Sequence, residues 1–439
     1  MCRKLLTKIQ YDASKDFLIH VGDLVAKGPD PLKVLKFMRK NRVRGVRGNH
    51  DEKVVEWRNW MVWAGTKEAA RRRAERGEEA SSDGIQDDDD PDSATWRQFV
   101  KSMDWQYGAD PKRLHSALST SNIPFPKSWE WRSEHWKIAR DMSKKEYDYL
   151  VSLPLALHIP SIHSVVVHAG LLGRDPTKLA DAADQPYSNL FDEVTETDPK
   201  AAPMSRHQAE LDVFTKIKQN RRPYTLMNIR SVLKDGRVTK KSNKGTPWSD
   251  IWQQEQARCA GPGRWALGEV AEDEDETVGV EHAGVEMVED MESRGLEVGL
   301  EKRKKHVVLE SLPRLNCSPL TVIYGHAGQY TSDRSRFIRM ILADTRSSLL
   351  LVTFAAGRGL DIKQFSKGLD SGCVYGHRMT ALVLGDLTGL DVDSDSNLNQ
   401  TQPETEDAVT EQGLGKKGRK VRVGNQKGML VDVGCPKEA

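Results

Sequence analysis

The sequence predicts an α/β (α+β) fold with layered strands and helices, and three observations lead there. Short β-like apolar runs recur at 17–21, 43–46, 164–167, 321–324, 349–354 and 380–384. Most are continuous rather than alternating, as in strands buried on both faces. Helical segments stand between them, and such alternation is the pattern of a layered core. Most of the runs also end in a polar cluster with glycine, where open α/β sheets place their ligands.

The elements follow in order. Run 17–21 leads into Gly22-Asp23-Leu24-Val25-Ala26-Lys27-Gly28-Pro29. A helix is expected over 31–40, where Leu32, Val34, Leu35 and Met38 share one side. Run 43–46 leads into Arg47-Gly48-Asn49-His50-Asp51. Residues 57–136 hold eight of the eleven tryptophans, so this stretch has a packing task of its own. Trp57, Trp60 and Trp63 are three apart and fall on one helical face. They read as anchors of a helical insertion over 57–142, with substrate stacking as the weaker alternative. Ser143 and Glu146 form a capping box that opens a helix carrying Tyr147, Leu150 and Val151. Run 164–167 leads to His168-Ala169-Gly170, and run 321–324 to Gly325-His326. Residues 269–301 hold thirteen acids against one base, so 261–312 reads as an acidic, disordered linker. Residues 391–439 read as a disordered tail with a basic end. The core is left in three pieces, 1–56, 143–260 and 313–390.

Composition limits the function classes. A length of 439 residues allows two or three domains. Hydrophobic residues are only 38% and charged residues 30%, which suits one core carrying polar additions. The net charge of +2 supplies no global argument for nucleic acid or an acidic membrane as partner. No apolar run approaches the ~20 residues of a membrane span, and the first ten residues hold no apolar stretch of leader length. The five cysteines are scattered and odd in number, with no C-x-x-C pair. Neither a disulfide framework nor a cysteine zinc site is expected, and a reducing, cytoplasmic setting is the default.

The clusters carry the chemistry. Asp, Asn and two His are oxygen and nitrogen donors suited to Zn, Mn or Fe. A carboxylate such as Asp23 can bridge two ions, whereas Asn49 binds through its carbonyl oxygen and adds no charge. Arg47 offers a bidentate fork for phosphate oxygens. His50, beside a ligand, is placed to give a proton to a leaving group.

These motifs, with Gly368-Leu369-Asp370-Ser371-Gly372-Cys373-Val374-Tyr375-Gly376, Asn228-Ile229-Arg230 and Gly245-Thr246-Pro247-Trp248-Ser249-Asp250, resemble those of the calcineurin-like metallophosphoesterases. Within that family the chain is similar to the branch of symmetrical diadenosine tetraphosphatases and fungal zinc-dependent endopolyphosphatases. The resemblance covers about 3–56, 143–260 and 313–385. It implies a metallophosphoesterase β-sandwich flanked by helices. It implies that Asp23, Asn49, His168 and His326 bind metal, that Arg47, Lys27 and Arg230 bind phosphate, and that His50 is the general acid. The position that orients this histidine in related protein phosphatases is Ala26 here, and Asp51 is the candidate that the sequence offers instead.

The family's first motif, Gly-Asp-x-His-Gly, has no counterpart before Asp23. The resemblance implies two divalent ions, yet only one complete ligand set is present. It also implies a sheet lacking an interior strand. Two explanations follow: coding sequence continues upstream of Met1, or this is a shortened homologue that binds without turnover. The expected activity is hydrolysis of phosphoanhydrides (polyphosphate or dinucleoside polyphosphate) by in-line attack of a metal-bound hydroxide. Phosphoserine or phosphothreonine proteins are the second substrate class, and non-catalytic polyanion binding is the third reading. The expected location is cytoplasmic, or vacuolar if a targeting segment lies upstream.

Overall fold

A computed structural model describes residues 2–25, 27–76, 94–108, 110–186, 212, 214–259, 315, 317–325, 349–352, 360–385, 387, 419–424 and 426–436. The acidic linker and residues 391–418 of the expected tail lie outside them. Along the chain come α1 (Cys2–Lys8), β1 (Phe17–His20), α2 (Pro31–Lys40), β2 (Arg44–Gly45) and α3 (Asn49–Glu75). Then follow α4 (Ala94–Tyr107), α5 (Pro111–Thr120), α6 (Glu134–Asp141), α7 (Lys144–Ser152), β3 (Ala156–Ile159) and β4 (Ser164–Val167). The helices Pro223–Asn228 and Trp248–Ala257 flank β5 (Ser231–Val232), β6 (Val238–Thr239) and β7 (Thr246–Pro247). The last strands are β8 (Thr321–Tyr324), β9 (Leu349–Val352), β10 (Asp361–Ile362), β11 (Ser366–Gly368), β12 (Arg378–Leu384), β13 (Arg419–Val423) and β14 (Gln426–Gly434).

Two sheets make the sandwich. One runs β13-β14-β12-β9-β1-β2 and the other β10-β11-β8-β4-β3, while β6-β5-β7 form a small third sheet. Side chains alternate along each strand. On β12, Met379, Ala381 and Val383 join the helices' core, while Leu382 and Leu384 turn inward. On β4, Val165 and Val167 meet the second helical layer and Val166 turns inward. Ile19, Val166, Ile323, Leu382 and Leu430 thus fill the space between the sheets. Burial on both faces explains the continuous apolar runs, and the expected two-sheet sandwich flanked by helices is the architecture observed.

Several expectations are corrected. No interior gap opens beside β1, because β9 pairs with it in parallel from Phe17↔Leu349 to His20↔Val352. Residues 419–434 are not tail. They form a hairpin whose second strand pairs with β12 from Arg378↔Gly434 to Leu384↔Gly428. Met429, Leu430 and Val431 are buried there, a short apolar signal hidden among lysines and arginines. The exposed Arg419, Lys420 and Arg422 decorate the outer strand, a charge pattern that blunts an open edge.

The insertion does not begin at a boundary. Helix α3 runs unbroken from Asn49 to Glu75, so the candidate ligand Asn49 and the first tryptophans share one rod. Trp57, Trp60, Phe125, Trp129 and Trp131 pack ring against ring. Arg58 is fully buried, donates to the carbonyls of Ala139 and Met142 at 2.8 and 2.7 Å, and lies 4.3 Å from the Trp96 ring. The tryptophans are therefore chiefly packing anchors, although Trp63, expected among them, and Trp105 are exposed.

The cysteines also differ from expectation. Cys259 pairs with Cys317 and Cys373 with Cys435, leaving Cys2 free. Neither pair is visible in spacing, since each closes a separation of 58 or 62 residues that only the fold brings together. Among the described residues, no helix is long and apolar enough to cross a membrane.

Candidate active site

The site forms where the loops after β1, β2 and β4 meet. Gly22 has φ +89°, a left-handed turn that suits glycine. Its Cβ, if present, would lie 2.6 Å from Nδ1 of His168. A Cβ on Gly48 would fall 2.3 Å from the backbone nitrogen of Asp23. The two glycines thus let three loops approach within contact distance.

Three sequence-predicted ligands converge. His168, buried at the end of β4, has Nδ1 2.8 Å from the carbonyl oxygen of Val21. That carbonyl can only accept, so Nδ1 carries the hydrogen and Nε2 presents a lone pair in the neutral ring. Nε2 lies 3.1 Å from Oδ1 of Asn49 and 3.4 Å from Oδ2 of Asp23. Three electron-rich atoms so close together need a shared proton or cation. The donor set, one nitrogen and two oxygens, fits a divalent transition metal. Burial opposes charge on His168, but the Asp23 carboxylate, the bond to Val21 and the charge of Asp51 together raise the pKa. His326 lies outside the described residues. Among the described residues, no three His, Cys, Asp or Glu side chains form a group by themselves.

Asp51 ties the loops together. Its carboxylate accepts from the backbone N–H of Gly48 at 2.9 Å and Val25 at 3.2 Å. Burial, and then the neighbouring charge of Asp23, push its pKa up to about 7. It braces the turn, and neither of these bonds reaches the His50 ring.

The His50 ring meets a residue that sequence reasoning missed. Its Nδ1 lies 2.7 Å from Nε2 of His135, and the two rings are near-parallel, with 5.0 Å between centroids and 9° between planes. The His50 backbone N–H donates to Oδ1 of Asp23 at 2.9 Å. Burial lowers the His50 pKa, and burial followed by the field of His50 lowers that of His135 to about 4. His135 lies in the first turn of α6, within the insertion. Its neighbour Glu134 accepts from the backbone N–H of Lys27 at 2.5 Å. No local pattern flags His135, because 85 residues separate it from His50.

The expected phosphate contacts are dispersed. The Arg47 guanidinium donates to Glu52 at 2.9 Å and to the carbonyls of Val151 and Leu153 at 3.1 and 3.2 Å. It therefore clamps the C-terminal end of α7. Lys27 is exposed, with Nζ 5.6 Å from the centre of the Tyr375 ring. Arg230 is buried at the start of β5, its backbone bonded to Thr239 and Trp248.

Fold and site together resemble those of the metallophosphoesterases. Residues 3–207 match the calcineurin-like phosphoesterase family model. Symmetrical bis(5'-nucleosyl)-tetraphosphatase of Photorhabdus laumondii is 53% identical over 51 residues, 11% of this chain and 18% of that protein. Serine/threonine-protein phosphatase 1 of Salmonella typhimurium is 38% identical over 58 residues, 13% of this chain and 27% of that one. A crystal structure of a candidate diadenosine tetraphosphatase is 19% identical, with a TM-score of 0.34 over 87% of this chain and 82% of that one. The chain thus spans less than a third of the length of these two curated relatives.

Proposed function

We propose that the chain is a metal-dependent phosphohydrolase acting on phosphoanhydride bonds, with dinucleoside polyphosphates and polyphosphate as its substrate class. The observation that carries this reading is the convergence of Asp23, Asn49 and His168 beside His50. These three residues, with His326 from the sequence, would hold Zn, Mn or Fe. A bound divalent ion would supply Lewis acidity and acidify a water.

The chain's own residues do the rest. His50 gives its ring proton to the oxygen that leaves phosphorus. Lys27 offers positive charge to phosphate oxygens. Arg47 could reach a phosphate only by releasing Glu52 and two carbonyls, so we assign it to bracing the loop. Arg230 is kept as a further phosphate contact. The tetraphosphatase relative favours anhydrides, while the phosphatase from Salmonella favours phosphoproteins as the second reading. The two disulfides favour an oxidising compartment, hence a vacuolar rather than a cytoplasmic location.

The test is phosphate release from polyphosphate, a dinucleoside tetraphosphate and a phosphopeptide, with and without Zn, Mn or Mg. Metal-dependent release from the first two is expected. Binding of these polyanions without release from any substrate would replace the enzyme with a non-catalytic binder.

A further inference from the structure

We infer that His135 is a positioning residue for His50, supplied by the helical insertion to the phosphohydrolase site. This rests on the reading of His50 as the proton donor. The geometry makes the case. A separation of 2.7 Å between ring nitrogens is a full hydrogen bond, in which one nitrogen donates and the other accepts. The bond therefore ties the tautomer of one ring to that of the other. The two ring planes are only 9° apart, the near-coplanar arrangement that an in-plane nitrogen–nitrogen bond requires, so rotation of the His50 ring would break the bond.

The His50 backbone is held by its bond to Asp23, which leaves the ring itself to be oriented by another group. Asp51, the sequence's candidate for orienting it, is engaged by Gly48 and Val25. Among the described residues, His135 is the side chain that hydrogen-bonds the His50 ring. Ser133 caps α6 with a bond from the backbone N–H of Trp136, and Trp136 itself is fully buried. The helix start is thus fixed, with His135 and Glu134 presented to two different loops of the site. The insertion contributes to the site through these two residues.

A double-mutant cycle tests this on the full chain, using the fastest substrate of the panel above. His135→Phe keeps a ring and removes the bond, whereas His135→Gln keeps a hydrogen-bonding group. His135→Ala is a second removal variant, and thermal unfolding of each reports whether the fold is retained. We expect His135→Phe to lower kcat roughly 10- to 100-fold, a part of the 10²–10⁴ that positioned proton transfer contributes. We expect no further loss when it is combined with His50→Ala, and recovery of most of the rate in His135→Gln. A residue that acts only through His50 must behave non-additively. No loss, a loss that adds to that of His50→Ala, or a glutamine variant as slow as the phenylalanine one overturns the inference and leaves the phosphohydrolase reading intact. A wild-type chain that hydrolyses nothing overturns both.

Discussion

Nδ1 of His168 sits 2.8 Å from the carbonyl oxygen of Val21, a bond that crosses from one sheet of the sandwich to the other. It decides which nitrogen of the ring faces Asn49 and Asp23. Removal of the ring should therefore abolish a ligand and unlink two loops. His168→Ala should weaken Zn or Mn binding by at least about tenfold, the lower end of what even outer-shell changes cost. Calorimetric titration of the purified chain measures it, with circular dichroism as the check on fold. Undiminished binding would remove His168 from the ligand set.

Gly65 lies on α3 where α4 crosses it, and a Cβ there would meet Cα of Trp96 at 2.5 Å. Two effects oppose each other in Gly65→Ala. Helix propensity favours alanine by about 1 kcal/mol. Overpacking against backbone, which cannot swing aside, costs about 1–3 kcal/mol. The clash should win, lowering the thermal midpoint and loosening the insertion. A raised midpoint would show that the two helices do not touch there.

Lys367 is buried on β11, its ammonium bonded to the carbonyls of Lys363 and Gln364. Burial, and then the nearby charge of Arg419, lower its pKa from 10.5 to about 7. Between these values the unfolded chain binds a proton that the folded chain does not. Stability should therefore rise with pH from about 7 to 10, by at most about 1.4 kcal/mol per unit, and be flat below. Urea unfolding at pH 7 and 9 of the wild type and of Lys367→Met isolates this group. The stability of the wild type relative to Lys367→Met should rise between these pH values; a difference that does not change with pH would refute it.

Much of the site was legible because each part is local. A polar residue beside glycine at the end of an apolar run is encoded within a few positions, and Asp23, Asn49 and His168 came from such runs. Arg47 shows the limit of this reasoning. Its residue type suits phosphate, but its direction depends on Glu52 and on the end of α7. The hairpin at 419–434 was hidden because basic neighbours masked three apolar residues.

By itself the sequence determined the layered α/β class, the strand ends that carry the candidate ligands and the packing task of the tryptophans. These depend on periodicity and on glycine at turns, both written in neighbouring residues. Only the tertiary structure decided that His135 meets His50, that Cys259 meets Cys317 and Cys373 meets Cys435, and that β9 closes against β1. Those contacts join residues tens to hundreds of positions apart. Their partners are chosen by how whole layers pack, which no local pattern records.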